Sequence, residues 1–114
     1  GRHVTTWTVP ATVLDVHDAD TLKINADLGW HITLTTSIRL DGVDAPELAT
    51  DAGKVAQQFV AGLLAVGTVV TVVSHSLDKY GRILGTVSLP DGRDLSAVLI
   101  AAGHGVEYHG GKRG

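Results

Sequence analysis

Three short stretches stand out from a Val/Thr/Ala-rich background as carriers of side chains capable of chemistry. They are Asp18-Ala19-Asp20-Thr21, Arg39 to Glu47 (RLDGVDAPE) and Asp78-Lys79-Tyr80-Gly81-Arg82. Asp20 and Asp44 are candidate ligands for a hard dication, because carboxylates and backbone carbonyls suit Ca²⁺ or Mg²⁺ and not zinc. Glu47 lies three residues beyond Asp44, with Pro46 stiffening the loop between them. It can face the same site without touching the metal itself. Arg39 and Arg82 carry forked donors that match pairs of phosphate oxygens, which Lys cannot do. A dication, a spare carboxylate and two guanidiniums converging on one point are equipped for phosphoryl transfer. The metal polarises the phosphate, the carboxylate orients or deprotonates water, and the guanidiniums stabilise charge developing on the phosphorus oxygens.

Each residue taken alone has a plainer reading. A single Asp in a hairpin is usually a turn former, Asp41-Gly42 is a turn signal, and an exposed Arg is usually solvated. The joint occurrence of three such clusters is what argues for a site. The six histidines show no i,i+4 helical pair, and the serines lack a nucleophile-elbow context. Gly103-His104-Gly105 follows an expected helix instead of opening one, so it is not a dinucleotide loop. With no cysteine there is no disulfide, thiolate nucleophile or Cys-ligated zinc.

These stretches need a scaffold, and the residue pattern predicts one. Val9 to Val16 reads as a strand. Thr21 to Ala26 alternates Leu22, Ile24 and Ala26 against Thr21, Lys23 and Asn25, and Asp27-Leu28-Gly29 reads as a turn. His31 to Leu40 completes a three-stranded meander. Asp51 to Ala65 is predicted helical, with Val55, Phe59, Gly62 and Leu63 inward and Lys54, Gln57 and Gln58 outward. Thr68 to Ser74 and Ile83 to Leu89 are further strands joined by the turn at 78–82, and Leu95 to Ala102 is a second short helix. The order β-β-β-α-β-β-α suits a mainly β fold with two helices, a five-stranded, partly open Greek-key barrel of the OB-fold type.

At 114 residues, 44% hydrophobic and 18% charged, the sequence suits one globular domain over 1–114, with 1–8 and 109–114 as flexible ends. The apolar run from Phe59 to Val73 is interrupted by Gly62, Gly67, Thr68 and Thr71, and is shorter than the ~20 residues of a membrane span. No signal-peptide pattern is visible at the start, and the compartment stays open. A net charge of −3 argues against a protein that coats nucleic acid by charge alone, and 4% aromatics leaves few positions for base stacking.

The three clusters resemble the motifs of the staphylococcal nuclease (thermonuclease) family, whose core is an OB-fold barrel. The family's Asp-Gly-Asp-Thr is similar to Asp18-Ala19-Asp20-Thr21. Its Arg-led strand end and Val-Asp-x-Pro-Glu match Arg39 and Val43-Asp44-Ala45-Pro46-Glu47. Its Asp-Lys-Tyr-Gly-Arg matches 78–82 letter for letter. The resemblance runs from about Ala11 to Tyr108. It implies one Ca²⁺ held by Asp20, Asp44 and the Ala45 carbonyl, with Asp18 supporting the metal's water shell. It further implies Glu47 as general base or water-orienting group, Arg39 and Arg82 on the scissile phosphate, and Lys79, Tyr80 and Tyr108 against the substrate. The implied activity is hydrolysis of DNA and RNA to 3′-phosphates by a monomer without a membrane partner. The alternative is a binding module that uses the same face without turnover. Two departures stand out. Ala19 replaces the family's Gly, which strains the turn if that position requires a positive φ. The sequence also shows no counterpart of the family's C-terminal helix.

Overall fold

Alternation along the strands sets where the core lies. The computed structural model describes residues 7–77 and 82–107. Their elements are β1 (Trp7–Asp18), β2 (Thr21–Gly29), β3 (Ile32–Leu40), β4 (Val43–Asp44), α1 (Asp51–Leu63), β5 (Val69–Leu77), β6 (Ile83–Ser88), α2 (Leu95–Ala101) and β7 (Val106–Glu107). Every second residue of β2 turns inward, so Leu22, Ile24 and Ala26 are buried with Val13 of β1, Ile38 and Leu40 of β3, Val72 of β5 and Val87 of β6. Burying each large aliphatic side chain contributes roughly 1.5–3 kcal/mol.

The five long strands form a barrel in the order β1-β2-β3-β6-β5, while β4 and β7 form a separate small sheet. The fold is therefore mainly β with two helices around an OB-like five-stranded barrel, as the pattern predicts, but the barrel is closed. Closure comes from antiparallel pairing of Trp7–Thr12 with residues 69–74 and from a short parallel pairing of Ile38–Leu40 with residues 83–85. The β4–β7 pairing has no counterpart in the sequence pattern, since two-residue strands carry no periodicity. Gly105 permits it, because a Cβ there would sit 2.6 Å from Val43 Cγ2.

The helix α1 packs Phe59 and Leu63 half-buried against the core, as the pattern predicts, but buries a stripe of smaller residues more deeply. Gly53, Ala56, Val60 and then Leu64 face the core, while Val55 is 54% exposed and Gly62 is exposed. The apolar residues of α1 wrap most of its circumference, so periodicity alone leaves two candidate stripes. The smaller residues win because they admit closer approach. A Cβ on Gly53 would clash with the backbone carbonyl of Glu47. Gln57 is not on the wet side either, because its Nε2 donates to the Val16 carbonyl at 2.8 Å. Thr50 caps the helix by accepting from Gly53 N–H at 2.9 Å, and its own hydroxyl donates to the Glu47 carbonyl at 2.6 Å.

The first two hairpins also settle what their turn residues do. Ala19 is buried at 1% exposure, and it is absent from the described non-glycine residues with positive φ. Alanine therefore suits that position. In the second hairpin, Asp27-Leu28-Gly29 makes a bulge and not the turn. Asp27 Oδ1 accepts from Gly29 N–H at 2.9 Å, and the register shifts between Asp27 and Gly29. Gly29 then pairs with Ile32, leaving Trp30 and His31 as a two-residue loop with φ of 58° and 63°. Such loops favour Asn-Gly, because left-handed backbone costs other residues about 1–2 kcal/mol each.

Two stability measurements check these assignments. Replacing Trp30-His31 by Asn-Gly is expected to raise Tm by roughly 4 °C or more in thermal denaturation. Gly53→Ala is expected to lower stability by about 1–3 kcal/mol in urea unfolding, the usual scale for overpacking. An unchanged midpoint in either variant would contradict the corresponding backbone assignment.

Candidate functional site

The site is built where the β1–β2 turn meets the end of β3 and the loop after it. Asp20 is buried at 6% exposure in that turn. Its backbone carbonyl accepts from Leu40 N–H at 2.8 Å, and its side-chain Oδ2 accepts from Ala45 N–H at 2.9 Å. Its Oδ1 accepts from the Thr21 hydroxyl at 3.2 Å. The turn is therefore tied both to β3 and to the loop carrying Asp44.

Arg39 occupies the centre. Its guanidinium donates from Nη1 to the carbonyls of Leu40 at 2.7 Å and Val43 at 2.9 Å. The same Nη1 lies 3.5 Å from Asp20 Oδ2, while Nη2 donates to Asp44 Oδ1 at 3.2 Å. One half-buried cation thus holds two carboxylates and two carbonyls drawn from the first hairpin and from the 40–44 segment. The arrangement folds the 40–45 segment around the guanidinium, with Gly42 in left-handed backbone at φ 87° making the reversal. Ser96 of α2 anchors the same reversal by donating to the Asp41 carbonyl at 2.9 Å. The sequence offers no sign of that contact, which depends on how α2 packs.

Strand register extends the site sideways. Asp18 of β1 pairs with Thr21 of β2, Thr21 with Arg39 of β3, and Arg39 with Leu84 of β6. Beside this row lies a groove of about 440 Å³ lined by Asp18, Thr21, Lys23, Ser37 and Arg82 among others. Lys23 and Ser37 are additions to the residues the motifs single out, found only through cross-strand pairing. Asp18 Oδ1 is shut off from solvent and makes no hydrogen bond among the described residues, although His17 Nδ1 lies 3.3 Å away. Distance alone brings that pair together, so the oxygen keeps its hydrogen-bonding capacity.

Of the residues singled out by sequence, Arg39 touches Asp20 and Asp44, Ala45 donates its backbone N–H to Asp20, and Asp18 and Arg82 line the adjoining groove. Glu47 is exposed on the loop into α1. Its backbone carbonyl is fixed by Thr50 N–H at 3.0 Å as well as by the Thr50 hydroxyl. Lys79, Tyr80 and Tyr108 lie outside the described residues.

The donor set at Asp20, Asp44 and the Ala45 carbonyl is all oxygen, which fits a hard cation. The described residues contain no group of three or more His, Cys, Asp or Glu able to hold a metal. A cation at this point would complete its shell with water oxygens, as Ca²⁺ with its roughly 6–8 ligands readily does.

Comparison with known proteins supplies the family and its relatives. The chain is 36% identical over 91 residues to an uncharacterized endonuclease of Escherichia coli and 35% identical over 91 residues to one from Escherichia coli O157:H7. Each match covers 80% of this chain and 56% of the relative. It is 32% identical over 106 residues to Endonuclease YhcR of Bacillus subtilis (strain 168), covering 82% of this chain and 8% of that protein. The chain thus spans about half the length of the two Escherichia coli relatives. The model of the staphylococcal nuclease homologue family matches residues 37–113, a span that contains Arg39, Asp44, Glu47 and Arg82. On that match, with the closed barrel and the Arg39-centred cluster, the chain belongs to the staphylococcal nuclease homologue family.

Proposed function

We propose that this domain hydrolyses phosphodiester bonds of DNA and RNA with the help of one Ca²⁺, leaving 3′-phosphates. The observation that carries the reading is the gathering of Asp20 and Asp44 on one guanidinium, beside a groove that contains Arg82. The endonuclease names of the relatives point the same way. Asp20, Asp44 and the Ala45 carbonyl would hold the cation, which when bound would supply charge to polarise the scissile phosphate.

The chain's own groups do the rest. Arg82 donates paired hydrogen bonds to the non-bridging oxygens and stabilises their charge as the phosphorus becomes five-coordinate. Arg39, already fixed by two carbonyls, adds positive charge that needs no reorganisation. The Glu47 carboxylate takes a proton from the attacking water. The water oxygen bonds to phosphorus, the bond to the 5′ oxygen breaks, and that oxygen leaves with a proton from solvent. Glu47 suits the role because its backbone is fixed by the Thr50 cap while its side chain remains open to water.

Arg39 variants report on folding as well as cleavage. Truncation leaves the buried Asp20 carboxylate without its cation, a loss on the order of 3–5 kcal/mol. Glu47 and Arg82 are cleaner probes. Glu47→Gln and Arg82→Ala are each expected to lower kcat on single-stranded DNA by at least ~10²-fold with Tm little changed. Parental rates in both variants would overturn the mechanism. EDTA is expected to abolish cleavage and added CaCl₂ to restore it. Turnover that survives EDTA removes the metal from the reading. Binding without turnover in CaCl₂ assigns the face to a binding module instead.

A further inference from the structure

The outer face of the β2–β3 hairpin continues away from the candidate site. Lys23 pairs with Ser37, Asn25 with Thr35 and Asp27 with Thr33, so strand alternation puts all six on one side. On that side a second groove, of about 620 Å³, runs past Thr12, Asn25 and Thr33 to Trp30 and His31. From Lys23 to Trp30 is roughly 20 Å at about 3.3 Å per residue. The track is polar. Asn25 Oδ1 accepts from the Thr35 hydroxyl at 3.1 Å, which leaves the Asn25 amide NH₂ to donate to a ligand. Asp27 is occupied by the Gly29 N–H.

At the far end Trp30 is 94% exposed, in a chain with only five aromatic residues of the Phe, Trp and Tyr types. It stands on left-handed backbone that its residue type disfavours. A large apolar ring held at a hairpin tip, at a cost to stability, serves something outside the fold. We propose that Trp30 is a stacking platform for a base of single-stranded nucleic acid, several nucleotides from the scissile phosphate. The intervening strand lies over Lys23, Asn25 and Thr35. This deepens the nuclease reading and rests on it. The separation fits the roughly 4–16 nucleotides that an OB-fold covers. Stacking is also the contact that suits a chain of net charge −3, because a base face can be held without phosphate neutralisation. The same net charge disfavours an anionic membrane as the occupant.

The test compares two substrates in CaCl₂, a dinucleotide and a single strand of about 12 residues, within the footprint of such a fold. Trp30→Ala is expected to raise KM for the longer strand about tenfold, to the same extent at low and high salt, while leaving kcat and the dinucleotide unchanged. Trp30→Phe is expected to restore most of the affinity. The Asn-Gly double variant at 30–31 is expected to show the same rise in KM in a more stable protein, which separates stacking from folding. In a Trp7→Phe background, the remaining Trp30 fluorescence is expected to be quenched by the longer strand. An unchanged KM, or an equal loss on the dinucleotide, overturns the proposal. If the parent cleaves nothing, the nuclease reading fails separately and the fluorescence titration decides. Quenching with about tenfold weaker binding by Trp30→Ala supports stacking, and no quenching overturns it. Trp30-dependent binding to anionic phospholipid vesicles, with no effect of Trp30→Ala on oligonucleotide binding, also overturns it.

Discussion

A single half-buried guanidinium organises this protein. Arg39 touches Asp20 from the first hairpin, Asp44 from β4 and the carbonyls of Leu40 and Val43. Taking a charge out of water is costly unless it is paired and hydrogen-bonded, and here several partners offset that cost. The carboxylates have the complementary problem. Gathered without a cation, they would repel each other. The contact that completes the fold locally is thus also the one that gathers the two carboxylates.

Close backbone approach supplies the second layer of support. Gly53 lets the first turn of α1 sit against the loop at Glu47, and the Thr50 cap locks that junction. A Cβ on Gly85 would run into the Val73 carbonyl, while the Gly85 carbonyl itself accepts from Asp41 N–H at 2.7 Å. Both glycines lie behind the loops that carry site residues. Their role is spatial and not a matter of left-handed backbone, since neither has a positive φ. Packing errors there would be felt as displaced side chains at the surface of the barrel.

The second hairpin shows the opposite economy. Strand twist favours a two-residue loop, but the residues in it are poor at the backbone angles it demands. A domain of this size is stable by only about 0.05–0.15 kcal/mol per residue, so such strain is a noticeable fraction of the whole. Retaining an exposed indole there places a large flat apolar surface at the end of a polar strand face. That is the geometry in which an acidic barrel can hold an uncharged part of a polyanion.

The chemistry-bearing residues, the barrel and its two helices were legible in the sequence because they depend on local signals. Period-two alternation marks Leu22, Ile24 and Ala26 as core, and the Asp, Glu and Arg of the three clusters stand together against a Val/Thr/Ala-rich background. Three features were settled by tertiary structure alone: the deeper burial of Ala56 and Val60 with Val55 left exposed, the use of Asp27 and Gly29 in a bulge with the turn at Trp30-His31, and the β4–β7 pairing. The partners of Arg39 belong with them. Each turns on how close two backbones distant in sequence can come, and on which register then satisfies their hydrogen bonds. Local composition carries no measure of either.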